Sequence, residues 1–102
     1  MYQLEYLPIA RQDMIEISRY ISQELYNPTA AEKLSIEMIV SVEKLTEFPY
    51  SNSVHRFTQP LKKEYRKLIV KNYIMFYWID EKEKRVTIAR VVYTRRDYEK
   101  LL

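Results

Sequence analysis

The stretch Tyr65–Asp80, YRKLIVKNYIMFYWID, decides the fold. β-Branched and aromatic residues fill two runs within it, Tyr65 to Val70 and Tyr73 to Ile79, separated only by Lys71-Asn72. A connection that short joins antiparallel strands in a hairpin. The second run is apolar at alternate positions of both kinds, with Tyr73, Met75, Tyr77 and Ile79 on one face and Ile74, Phe76 and Trp78 on the other. That pattern suits a central strand. A polar stretch, Asp80 to Lys84, then leads into a third run, Arg85 to Tyr93, again close enough for an antiparallel partner.

Outward from this sheet, the first half changes period. Ala10, Met14, Ile17, Ile21 and Leu25 recur at spacings of 4, 3, 4 and 4, one stripe of an amphipathic helix. Asn27-Pro28 ends it, because a residue before proline leaves helical geometry, while a proline in the first turn of the next helix costs little. From Thr29 to about Glu47, Ala31, Leu34, Met38, Val42 and Leu45 repeat the helical spacing, with Ile36, Ile39 and Val40 expected to broaden the same face. Tyr2, Leu4 and Tyr6 alternate with Gln3 and Glu5 as a short strand ending at Pro8. Tyr50 to Pro60 is an irregular loop, and Thr94 to Leu102 a basic C-terminal turn or short helix. The expected architecture is one α+β domain over residues 1–102, β-α-α-β-β-β, with an antiparallel helix hairpin on one face of a twisted, mainly antiparallel sheet. The opposite face is expected to lie open and to carry the later cations.

Composition removes whole classes of chemistry. Without cysteine there are no disulfides, thiolate metal sites or cysteine nucleophiles, and the single His55 cannot build a histidine-rich metal cluster. Without glycine there is neither a Walker loop nor a dinucleotide-binding turn, since both need backbone lacking a Cβ beside phosphate. No metal and no small-molecule cofactor is expected. No apolar run approaches the roughly 20 residues of a membrane-spanning helix, and the amino terminus has no basic flank; a cytoplasmic protein is expected. The net charge of +3 hides an asymmetry: residues 1 to 54 hold 4 Lys/Arg against 8 Asp/Glu, and residues 55 to 102 hold 13 against 6. A polyanion or an acidic partner is expected to dock on the second half.

The order of elements and five strings resemble the RelE/ParE superfamily, the toxin halves of bacterial type II toxin–antitoxin pairs. These are Ala10 to Ile21 (ARQDMIEISRYI), Asn27 to Ala31 (NPTAA), Leu45 to Pro49 (LTEFP), Tyr65 to Asp80, and Arg90 to Tyr98 (RVVYTRRDY). The aspartate, isoleucine, tyrosine and isoleucine of the first helix, with the terminal arginine-aspartate step, are most similar to the ParE branch, the plasmid stabilisation proteins. The resemblance implies a growth-inhibiting toxin neutralised by a cognate antitoxin. It implies DNA gyrase as target on the ParE branch, or the ribosome with bound mRNA on the RelE branch, whose members are endoribonucleases.

If the RNase branch applied, activating a ribose 2′-hydroxyl and protonating a leaving oxygen without histidine would fall to Lys, Arg and Tyr. The resemblance would assign those roles to Arg66, Tyr93 and Arg95. Lys62, Lys63, Lys67, Lys71, Arg96 and Tyr98 are the candidate binding residues around them. Two positions depart from the RNase pattern: an apolar Ile74 or Met75 stands where those members carry a strand arginine, and Gln59 where one subgroup has a loop glutamate. A third reading is a non-toxic nucleic-acid or protein-binding module, which the basic second half permits. His55 is expected to be a surface residue, and Phe76 and Trp78 core.

Overall fold

A computed structural model of the chain describes residues 1–57, 63–96 and 98–102, with only the backbone described at 98 and 99. The elements are β1 (Gln3–Tyr6), α1 (Pro8–Arg19), α2 (Pro28–Glu43), β2 (Arg66–Val70), β3 (Tyr73–Asp80) and β4 (Arg85–Tyr93), closed by a 3₁₀ turn at Tyr98–Leu101. They form a four-stranded sheet of order β1-β4-β3-β2. Its β2–β3 and β3–β4 pairs are antiparallel, and β1 lies parallel to β4 along the edge. The expected α+β order is therefore the observed one.

Local chemistry explains the boundaries. Pro8 opens α1 directly after an extended Leu7, a position where its missing N–H costs nothing. Asn27 caps α2, its Oδ1 accepting the Ala30 N–H at 3.1 Å, and Pro28 follows at the first helical position. Between them the expected single helix through Leu25 departs from α geometry. Tyr20–Glu24 forms a π-helical turn in which the Leu25 N–H reaches the Tyr20 carbonyl, inserting one extra residue into the turn. With no glycine in the chain, three ordinary residues among those described take the positive φ that tight turns require: Tyr26 at 52°, Lys71 at 54° and Lys84 at 52°.

The core lies between the helices and one sheet face. Ala10 of α1 and Leu34, Met38 and Val42 of α2 close over Val70, Met75, Tyr77, Val86, Ile88 and Val91, with Leu45 at the end of the layer. Tyr77 is fully buried yet satisfied, its hydroxyl donating to the Pro49 carbonyl at 2.8 Å.

Two expectations fail here. Ile36, Ile39 and Val40 do not widen the buried face of α2 but are about half exposed, because they sit on the side of the helix opposite Leu34, Met38 and Val42. The second sheet face is not open either. Ile74, Phe76 and Val92 are buried beneath Phe57, Tyr65, Leu101 and Leu102. Apolar residues alternating onto both faces of β3 require two covers, and the loop before β2 together with the C-terminal turn supplies the second. His55 belongs to that cover, its ring edge-on to Phe57 at 4.5 Å and to Phe76 at 5.5 Å.

A candidate protein-docking cleft and the cations around it

The described cations do not converge on one surface. Lys71 occupies the β2–β3 turn, Lys82 and Lys84 the β3–β4 turn at the other end of the sheet, and Arg95 and Arg96 the turn after β4. The most conspicuous arginine is structural. β1 pairs with β4 only as far as Tyr6 opposite Ile88, so beyond that point the β4 edge has lost its neighbour. Asp13 of α1 takes its place: its carboxylate accepts the Val91 N–H at 2.9 Å and two bonds from Arg90, from Nε at 2.8 Å and Nη2 at 3.0 Å. Arg90 Nη1 also donates to the Leu101 carbonyl at 3.2 Å, tying the C-terminal turn to the sheet. The hydrogen bonds to Asp13 hold the guanidinium above its ordinary pKa.

Arg66 is also engaged. It pairs across the ladder with Tyr77, which turns its side chain to the helix-covered face of the sheet, beyond the end of the core. Its Nη1 donates to the Asn52 carbonyl at 2.6 Å, and the guanidinium lies 4.9 Å from the Tyr50 ring centroid and 3.9 Å from Glu64. This corner holds a small polar cavity of about 390 Å³, lined in part by Tyr50, Lys63, Trp78 and Glu81. Lys63 Nζ stands 4.9 Å above Trp78. On the rim, Glu81 accepts hydrogen bonds from Lys84 and from the hydroxyls of Tyr50 and Tyr2. Those three donors push Glu81 down to about 2, and the same contact pushes Tyr50 up to about 12.

Tyr93 lies elsewhere. It pairs with Tyr73, four residues along β3 from Tyr77 and two strands from Arg66. With roughly 3.3 Å per residue and roughly 4.8 Å between strands, the Cα atoms of Arg66 and Tyr93 stand about 16 Å apart. Arg95 lies in the turn that follows Tyr93. Lys67 pairs with Phe76 and so faces the opposite side of the sheet from Arg66. Lys62 and the side chain of Tyr98 lie outside the described residues, as do Gln59, Pro60 and Asp97.

What the fold does assemble around Tyr93 is a cleft of about 970 Å³ between the helix hairpin and one end of the sheet. The π-helical turn contributes Tyr20 and Ile21 to its wall, α1 Ile17, α2 Leu34, and the sheet Tyr73 and Tyr93. The rings of Tyr73 and Tyr93 meet edge-on at 5.7 Å, and burial is the main reason the Tyr73 hydroxyl titrates above its ordinary value. Tyr20 and Tyr93 remain about half exposed, and so does Leu25. Charge sits at the rim: Lys71 is 3.8 Å from Glu37, and Arg96 is exposed. Of the residues singled out from sequence, Tyr93, Lys71 and Arg96 come together here. Ile21 and Leu25 were read only as stripe positions of a continuous helix, and Tyr20 only as part of the string that carries the family resemblance. The lining thus mixes aliphatic and tyrosine side chains with charged ones, Asp13, Glu16, Lys33 and Glu37 among them, a composition that protein-binding hot spots share.

This fold is similar to that of chains in solved toxin–antitoxin structures. One matching structure is of the chromosomal ParDE toxin–antitoxin system from P. aeruginosa, with a TM-score of 0.74 at 18% identity, covering 93% of this chain and 98% of that one. Another is of the RelBE2 toxin–antitoxin complex from Mycobacterium tuberculosis, with a TM-score of 0.62 at 18% identity over 90% and 96% of the two chains. The intact E. coli RelBE toxin–antitoxin complex matches at 0.51, also with 18% identity, over 94% and 100%. At such identities the likeness is one of fold. The family is given by the sequence itself: the family model described as the ParE toxin of the type II toxin–antitoxin system, parDE, matches residues 4–98, and the chain belongs to that family. No curated protein matches it significantly in sequence.

Proposed function

We propose that this toxin inhibits growth by binding a protein target, DNA gyrase, and that a cognate antitoxin neutralises it by inserting an apolar segment into the Tyr20–Tyr93 cleft. The observation that carries this reading is the separation of Arg66 from Tyr93. Strand scission at a ribose 2′-hydroxyl needs a base, an acid and a cation on one phosphate, within hydrogen-bond reach of it. Residues whose Cα atoms stand about 16 Å apart, the guanidinium of one already bound to Asn52, are poorly placed for that task. The apolar and aromatic wall of the cleft is instead suited to the side chains of a helix or strand, with Lys71, Glu37 and Arg96 to fix its register.

The test is to induce the chain in bacteria without its antitoxin and follow labelled thymidine and labelled methionine. Incorporation of thymidine should stop first, and the purified chain should make gyrase accumulate cleaved DNA. Early arrest of methionine incorporation, with mRNA cut at ribosomes, would instead establish the RelE-like activity.

A further inference from the structure

The outer face of α2 carries a pattern the chain itself does not use. Ile36, Ile39 and Val40 are 53%, 45% and 46% exposed, while the helix meets its own core with Ala31, Leu34, Met38 and Val42. The exposed positions have their own spacing: Thr29, Lys33, Ile36, Val40 and Glu43 follow one another at steps of 4, 3, 4 and 3. Alternating steps of four and three make a straight seam along a helix, the form that packs against another helix at about 8–10 Å. No ion pair among the described residues involves Lys33 or Glu43.

The seam is complementary to its own reverse. When two copies of α2 run antiparallel about a two-fold axis at the level of Met38, Ile36 of each faces Val40 of the other, and Lys33 of each faces Glu43 of the other. Two aliphatic layers are thus flanked at both ends by opposite charges. On one side of the seam the two Ile39 side chains meet near the axis. On the other the axis brings the two Glu37 carboxylates together, each with Lys71 at 3.8 Å to offset the repulsion; both residues also line the cleft, so this edge is shared between the dimer and a bound antitoxin, which would compete for it. We propose that α2 is the contact face of a two-fold symmetric homodimer of this chain, packed antiparallel through Ile36, Ile39 and Val40 and registered by reciprocal Lys33–Glu43 pairs.

Charge complementarity is what selects a second copy as the occupant. A contact confined to one helix per copy falls at the small end of specific interfaces, so the expected dissociation constant is on the order of 10–100 µM. Sedimentation equilibrium of the full chain across that range should show monomer and dimer in exchange. Lys33→Glu places glutamates against one another at both ends of the seam, and Glu43→Lys does the same with lysines. Each alone should weaken dimerisation at least about tenfold. Mixed in equal amounts, the two variants should regain a dimer, because the introduced glutamate of one then faces the introduced lysine of the other, and the native Glu43 of the first faces the native Lys33 of the second. These positions are exposed, and unchanged far-ultraviolet circular dichroism would verify that both variants fold. A chain monomeric up to about 500 µM, or a dimer equally strong in both single variants, overturns the proposal. So does a monomeric chain whose antitoxin binding is abolished by Ile36→Lys, which would give the stripe to the antitoxin.

Discussion

Replacing Asp13 should test how this small domain is held together. Its side chain and that of Arg90 are only 11% and 13% exposed, and they join α1, the unpaired edge of β4 and the C-terminal turn. Asp13→Ala removes the acceptor of two guanidinium bonds and of the Val91 N–H, leaving a largely buried cation and an edge amide without their partner. Breaking one side of a buried pair costs about 3–5 kcal/mol, chiefly through the charge left behind. Domains of this size have about 5–15 kcal/mol in all. With a urea slope of about 1.5 kcal/mol/M, the unfolding midpoint should fall by about 2–3 M.

The double variant Asp13→Leu with Arg90→Met sharpens the argument. It removes both charges together and fills their place with apolar volume, so it should recover most of the loss, with a coupling of about 2–3 kcal/mol between the two sites. Asp13→Asn should fall between, since an amide oxygen can still accept the Val91 N–H but cannot neutralise the guanidinium. Equilibrium urea unfolding followed by tryptophan fluorescence measures all three, with Trp78 as the single reporter. A midpoint shift below about 0.5 M for Asp13→Ala, or a double variant no more stable than the single, would refute this account of the edge.

Stability should also depend on pH through the Glu81 cluster. Because Glu81 is lowered from 4.5 to about 2 by bonds from Lys84, Tyr50 and Tyr2, its contribution is complete above pH 4.5 and disappears as pH falls toward 2; Glu81→Gln should flatten stability against pH in that window. Tyr50, raised from 10.0 to about 12, gives the opposite limb, present below pH 10 and lost as pH rises through 12, and Tyr50→Phe should remove it. Tyr26→Gly relieves a positive φ of 52° at an exposed site and should stabilise the chain by about 0.5–1 kcal/mol, a few degrees in Tm by calorimetry. At the cleft, Tyr20→Ala with Tyr93→Ala should weaken antitoxin binding about 100-fold by calorimetric titration while leaving the urea midpoint nearly unchanged, since both rings are about half exposed. Unaltered affinity would place the antitoxin elsewhere.

The residues that carried the fold in the sequence did so for local reasons. The apolar alternation of Tyr73–Ile79, the two-residue break at Lys71-Asn72 and the Asn27-Pro28 cap each act within a few residues, and β2, β3, β4 and the hairpin formed where those signals placed them. What depended on long-range contact was not legible. Helical spacing puts Ile36 and Leu34 in one apolar segment but does not say which side meets the sheet; packing chose Leu34 and left Ile36 outside. Strand alternation marked Ile74 and Phe76 as apolar on the second face, which was a demand for a cover, and Leu101 and Leu102 answered it from the far end of the chain. The same logic governs the cations. A count by halves records that positive charge is concentrated after residue 54 but not that Arg90 is held by Asp13 from the acidic half, or that Arg66 turns toward Asn52. Once these two are committed to the fold, Lys71 and Arg96 remain at turns beside Tyr93, where tyrosine and aliphatic side chains line the cleft. Specificity on such a surface comes from shape, with charge setting orientation at the rim. On the proposed reading, the toxin should therefore discriminate sharply among the protein segments offered to its cleft.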